Sequence, residues 1–288
     1  MAAQVPPDIV AQVRAGGQTL DPIASGALYA PLFADETYAD LTVTRDIAYG
    51  EDPLQKLDVY EPAKAAAERL PVVVFIHGGG FTRGDKHGPY YPDNLTAWAA
   101  RNGMIAVNVN YRLAPATVFP GAVQDFAAAL RWVRANIAAH GGDPDRIVLS
   151  GHSAGANHVI DYLGHKELQG EEAKAIRGAI LLSPNYASEM PAQPNVYYGA
   201  DADAQLVGTA AARLHASGVP VFLGYAQFDP EPMRSTAKNL IAVLCRSPET
   251  CPAVVELPDH NHYTEGDAVG TDDTSLTAPL LEWLRSVR

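Results

Sequence analysis

Arg146-Ile147-Val148-Leu149-Ser150-Gly151-His152-Ser153-Ala154-Gly155 is the stretch from which the fold of this chain can be read. The apolar run Ile147 to Leu149 stops at Gly151-His152-Ser153-Ala154-Gly155, and a helical pattern continues from Ser153 to Leu163. A G-x-S-x-G sequence between a strand and a helix puts its serine on a sharp, strained turn. The flanking glycines are small because the turn presses the strand and helix backbones together. The Ser153 hydroxyl then stands above a sheet edge, at the positive end of a helix dipole, and reads as a nucleophile.

Outward from that turn, short apolar runs alternate with longer helical patterns. Val72 to Ile76 is a continuous apolar run of the kind buried on both faces of a sheet. Leu57 to Tyr60, Met104 to Asn110, Gly178 to Leu182, Val219 to Gly224 and Ala253 to Leu257 are further strand candidates. Phe119, Val123, Phe126, Leu130, Val133 and Ile137 form one stripe at helical period. Pro7 to Val13, Ala210 to Ala216, Pro232 to Leu244 and Leu276 to Val287 fit other helices. The alternation predicts right-handed crossovers and a mostly parallel α/β sheet, with ligands at the carboxyl ends of its strands.

A serine nucleophile needs anion-stabilising donors, a base and an orienting acid. His77-Gly78-Gly79-Gly80-Phe81 directly follows the buried run Val72 to Ile76. Its glycines let backbone N–H groups turn toward a ligand, so Gly79 and Gly80, with Ala154 after the nucleophile, are assigned as oxyanion donors. No GK[ST] follows, which argues against a phosphate loop, and His77 is expected to organise the loop. The chain order for this motif is serine, acid, histidine. Of nine histidines, only His260 and His262 follow the last strand candidate, and position alone does not separate them. Asp229 follows the run that begins at Val219 and is held extended by Pro230. Asp201 and Asp203 read as helix caps, and Asp267 comes after the histidines. An HxH metal site is the competing reading of residues 260 and 262, but no further ligand stands out nearby.

The 288 residues are 47% hydrophobic and 19% charged, which excludes a disordered or coiled-coil chain. The net charge is −12, without a Lys/Arg cluster, and this opposes nucleic acid or an anionic membrane as partner. Cys245 and Cys251 form no CxxC; they read as two ordinary thiols, with closure of a small loop in an oxidising compartment as the alternative. The start Met-Ala-Ala-Gln-Val-Pro-Pro-Asp lacks a basic n-region and an apolar h-region, and no stretch approaches the roughly 20 apolar residues of a membrane span. A soluble, cytoplasmic protein is expected, with an exported form whose signal peptide has been removed as the alternative.

Taken together, His77-Gly78-Gly79-Gly80-Phe81, Tyr111-Arg112-Leu113-Ala114-Pro115 with Phe119-Pro120 and Asp125, Gly151-His152-Ser153-Ala154-Gly155, Asp229-Pro230 and His262-Tyr263 resemble the hormone-sensitive-lipase-like small carboxylesterases of the α/β-hydrolase superfamily. The resemblance covers roughly residues 50 to 288. It implies an α/β-hydrolase fold with a central sheet of about eight strands and a small lid. It implies ester hydrolysis through Ser153, Asp229 and His262 without cofactor or metal, and it favours His262 over His260 because the family's base usually precedes an aromatic. Arg112 and Asp125 match structural positions. The chain departs from that branch at His152, where an acidic residue is usual, and at Ala156, where glycine is common. Both features also suit feruloyl-, acetyl-esterase and formamidase-like neighbours.

The expected organisation is an N-terminal arm, residues 1–45, contributing to the lid, and a catalytic domain, 46–288, with a small insertion at about 185–205. Phe81, Asn157, His158, Tyr186 and Phe228 are candidates for a mostly apolar acyl or aryl pocket, with Tyr90, Tyr91, Tyr197 and Tyr198 nearby. The expected activity is hydrolysis of short-chain acyl or small aryl esters by a monomer or homodimer. An arylformamidase-type amidase and a catalytically silent binding protein are the alternatives.

Overall fold

The computed structural model describes residues 5–33, 36–64, 66–88, 93–187, 195–199 and 206–287. Its centre is an eight-stranded sheet: β1 (Leu41–Ala48), β2 (Lys56–Pro62), β3 (Leu70–Ile76), β4 (Ile105–Val109), β5 (Gly142–His152), β6 (Ile176–Leu182), β7 (Val221–Ala226) and β8 (Ala253–Leu257). The spatial order is β1-β2-β4-β3-β5-β6-β7-β8. β1 and β2 pair antiparallel, as do β2 and β4, and the other pairs are parallel. This is the α/β-hydrolase arrangement.

β3 shows why its sequence is apolar throughout. Val72, Val74 and Ile76 face one core with residues of α4 (Gly121–Asn136), α5 (Ala154–Gly164), α6 (Val207–Ser217) and α7 (Glu231–Leu244). Val73 and Phe75 face a second core with residues of α3 (Asn94–Arg101) and α9 (Thr277–Ser286). Helices cover both faces, so the strand has no polar side.

The crossovers also place the site. The chain leaves β3 through α3 to β4, then returns through α4 to β5 on the other side of β3. Ile76 pairs with Gly151 across this junction. At such a reversal the loops leaving neighbouring strands diverge and open a crevice at their carboxyl ends. Here those loops begin at His77 and Ser153.

Two elements were not anticipated from sequence in the N-terminal region: α2 (Pro22–Tyr29) and β1. Asp21 starts α2 by accepting from the Ile23 and Ala24 N–H groups at 3.0 and 2.9 Å. α1 (Pro7–Gly16) and α2 bury Ile9, Val13 and Tyr29 in a cluster with Phe33 and Ala268, against which Phe228 packs. The arm is thus fixed to the C-terminal part of the chain. Of the expected insertion at 185–205, residues 188–194 and 200–205 lie outside the described residues, as do Tyr90 and Tyr91. Among the described residues no helix is long and apolar enough to cross a membrane.

The cysteines correct the sequence expectation of separate thiols. Cys245 and Cys251 are joined as a disulfide, six positions apart. The turn between α7 and β8 brings them together: Cys251 N–H donates to Ser247 O at 3.1 Å and Thr250 Oγ1 to Leu244 O at 2.6 Å. Titration of the unreduced, denatured protein with a thiol reagent should find no reactive cysteine, and reduction should expose both. Replacing Cys245 by serine should cost about 2 kcal/mol of unfolding free energy from the lost loop constraint.

Candidate active site

The nucleophile candidate comes from the β5–α5 junction. Ser153 adopts φ 54° and ψ −124°, a conformation rare for a residue with a side chain, and its N–H donates to Leu182 O at 2.8 Å. The turn is possible only because two positions lack a side chain. A Cβ on Gly151 would overlap the Gly155 main chain, and one on Gly155 would overlap the Ile76 carbonyl. Ala154 opens α5, so its N–H is among the first four that have no acceptor within the helix.

The loop after β3 lies against this turn. A Cβ on Gly78 would sit 3.0 Å from the Ser153 Cβ. Gly79, Gly80 and Phe81 have φ of 118°, 60° and 68°, so the main chain curls back, with Gly79 O accepting from Thr82 and Arg83. His77 organises this curl, as expected. Its Nδ1 is 2.7 Å from Gly78 O, its ring stacks on Tyr111 at 4.6 Å, and Tyr111 Oη donates to His77 O at 3.1 Å. Burial holds its pKa below the ordinary value, which keeps the ring neutral. Further along, Lys86 fixes the returning limb. Its ammonium reaches Asp46 and Asp58 at 2.9 Å each, its N–H donates to Asn110 Oδ1 and its carbonyl accepts from Asn108.

Asp229 follows β7 and is fully buried. Its Oδ2 accepts from Ser183 Oγ at 2.5 Å and from the Ala226 N–H at 2.8 Å, and its Oδ1 is 2.9 Å from His262 Nδ1. The two histidines that sequence position could not separate are therefore held by different acids. His262 meets Asp229, whereas His260 Nε2 meets Asp273 Oδ2 at 3.0 Å and anchors the loop from inside. Burial lowers the pKa of His262, the nearby His152 lowers it further, and Asp229 offsets these effects only in part. His262 is accordingly neutral at neutral pH.

The sequence pattern of the carboxylesterase family matches residues 30–218. The chain belongs to the carboxylesterase family. It is 34% identical over 168 residues to Probable carboxylesterase 13 of Arabidopsis thaliana, covering 52% of this chain and 51% of that protein. It is 46% identical over 101 residues to Carboxylesterase NlhH of Mycobacterium tuberculosis, covering 34% and 30% respectively. The chain thus spans about half the length, or less, of the curated relatives it matches. Bacterial Heroin Esterase has the same fold, with a TM-score of 0.72 at 22% identity over 99% of this chain and 98% of that one.

Within this chain the residues expected to line the pocket are mostly engaged by the protein itself. Asn157 is fully buried, donating to Asn185 O at 2.7 Å and accepting from Asn185 N–H at 2.9 Å. Tyr186 Oη donates to Asp161 at 2.9 Å, and Tyr198 Oη reaches the same carboxylate at 2.8 Å. Phe81 stacks on Tyr197 at 4.7 Å, and His158 lies edge-on to Phe81, Tyr111 and Tyr197. Burial among these rings drives the His158 pKa down to about 3, so it is neutral. Phe228 stands apart and packs against the N-terminal arm. Arg112 grips Asp125 through Nη2 at 2.6 Å and Nε at 2.9 Å, the structural role the resemblance implied.

The arm reaches the loop that carries His262 directly. Arg14 pairs with Asp259 at 2.7 and 3.1 Å, and Asn261 Nδ2 donates to the buried Ser25 Oγ at 3.1 Å. The Arg14 pair is exposed and screened by water, so the buried apolar cluster of the arm with Ala268 is the stronger anchor. His152, His262 and Glu265 are the described cluster whose ligand atoms lie close enough to share an ion. However, His262 Nδ1 faces Asp229 and His152 Nε2 faces the His262 carbonyl at 2.8 Å, so these nitrogens are committed to hydrogen bonds. Sequence reasoning noted His152 as a departure but missed Glu265, three residues beyond His262, and Ser183.

Gly155→Ala should lower unfolding free energy by about 2 kcal/mol, because the added methyl must displace the end of β3. Denaturant unfolding of the purified variant checks this.

Proposed function

We propose that this protein is a serine carboxylesterase that hydrolyses short-chain acyl or small aryl esters through an acyl-enzyme intermediate. The observation that carries this reading is the 2.9 Å contact of His262 Nδ1 with Asp229, beside the strained elbow of Ser153. Asp229 holds the tautomer with its proton on Nδ1, which leaves Nε2 as the base. Ser153 Oγ attacks the ester carbonyl and its proton passes to His262. The N–H groups of Gly79, Gly80 and Ala154 receive the oxyanion, each contributing on the order of 3 kcal/mol. His262 then returns the proton to the leaving alcohol. Water attacks the acyl-enzyme with His262 again as base, releasing the acid and restoring Ser153.

The names of the relatives support an ester as substrate. The preference for a small acyl group rests on Phe81, which follows the oxyanion loop and is filled in behind by Tyr197, Tyr198 and His158. The Cys245–Cys251 link favours an exported form over a cytoplasmic one, since cytosolic thiols are kept reduced.

Ser153→Ala should lower kcat by about 10⁶ on p-nitrophenyl acetate, and near-normal turnover would end the proposal. Rates on p-nitrophenyl esters should fall as the acyl chain lengthens. A matched anilide should react far more slowly than its ester, and the reverse preference would make the enzyme an amidase. Because burial lowers the pKa of the base, kcat/KM should decline only as pH falls below 6.5, the ordinary imidazole value.

A further inference from the structure

The chemistry proposed above leaves one buried acid unused. Glu265 lies on α8 (Thr264–Asp267) and is fully buried. Neither carboxylate oxygen receives a well-formed hydrogen bond among the described residues. Burying a carboxylate without well-formed donors is costly, and burial raises the Glu265 pKa to about 7; a nearby cation would favour its charged form. The group in that position is His152, whose Nε2 lies 3.2 Å from Glu265 Oε1. The same nitrogen lies 2.8 Å from the main-chain oxygen of His262, and the His152 and His262 rings are 4.5 Å apart. The residue before the nucleophile therefore grips the base residue by its carbonyl, while an acid three positions beyond the base steadies the grip.

We propose that His152 and Glu265 are a pair of positioning residues that clamps the base loop to the nucleophile elbow and sets the His262 ring against Ser153. This rests on the serine-esterase reading. The pair joins β5 to the 260–265 loop. The titratable groups facing His152 are Glu265 and Asp267 from α8, His262 from its loop and Asp229 from the β7–α7 turn. Burial pushes the Glu265 carboxyl up to about 7, and the contact with His152 favours its charged form. Burial likewise opposes a charge on His152, but Glu265, with the His262 carbonyl and Asp229, raises the His152 pKa above the ordinary value. Burial pushes Asp267 up to about 8, which leaves it largely neutral near pH 7. A proton held by His152 repels one on His262, and this helps keep the base free.

The test uses His152→Gln, which keeps an N–H donor, Glu265→Gln, and the double variant. Each single change should lower kcat roughly ten- to a hundredfold through a misplaced base, with KM within about twofold. The double variant should be no worse than the poorer single, because the two side chains act together. In His152→Gln the acid limb of kcat/KM should move to higher pH, since the charge that holds His262 low is gone. Independent, multiplying losses, unchanged kcat in both singles, or an unmoved acid limb would overturn the proposal. Should the variants fail to fold, nitrogen NMR of the wild-type imidazoles still decides, with His152 expected to titrate at higher pH than His262 and the reverse order refuting the clamp. Fluorophosphonate labelling of wild-type Ser153 tests the esterase reading separately.

Discussion

The first turn of α5 rests directly on the end of β3, and the site depends on that contact. A side chain at position 155 would occupy the place of the Ile76 carbonyl. Because the backbones touch there, the nucleophile elbow and the glycine loop share one rigid floor and need no flexible side chains to find each other. The crossover order makes this contact available, since β3 and β5 are neighbours only where the chain reverses direction across the sheet.

Around that floor the polar side chains serve mainly to hold loops in place. Asp229 has each oxygen engaged, by His262 on one side and by Ser183 and Ala226 on the other. Lys86 is nearly buried between Asp46 and Asp58, and Arg45 closes the same network onto Asp58 and Asp93. Such networks are stable only when every charge is paired, and they fix one geometry instead of adding much net stability. Loops that carry reacting groups benefit from that specificity.

Much of this was legible in the sequence where a local pattern has one physical cause. Unbroken apolar runs mark strands covered on both faces, so β3 to β8 were foreseen from Val72 to Ile76 and its counterparts. β1 was not, because it lies at the sheet edge with alternate residues exposed and its register shifts between Thr44 and Ile47. The choice between His260 and His262 needed the resemblance, and in space it is made by which carboxylate each ring meets. Asn157 and Tyr186 read as lining a mostly apolar pocket, but the fold uses their hydrogen bonds on Asn185 and Asp161. Glu265 carries no local mark, because its significance comes from His152, over a hundred positions earlier.

The grip of the N-terminal helices on the loop that carries His262 has a consequence for biosynthesis. Arg14 and Ser25 find their partners at Asp259 and Asn261, and Ala268 completes the apolar cluster with Val13 and Tyr29. A chain emerging from the ribosome presents those helices without these partners until residues 259–268 have been added. Folding can advance through the parallel strands in the meantime, but the loop that carries His262 docks after them, so chains stopped before residue 259 would carry the Ser153 turn without His262.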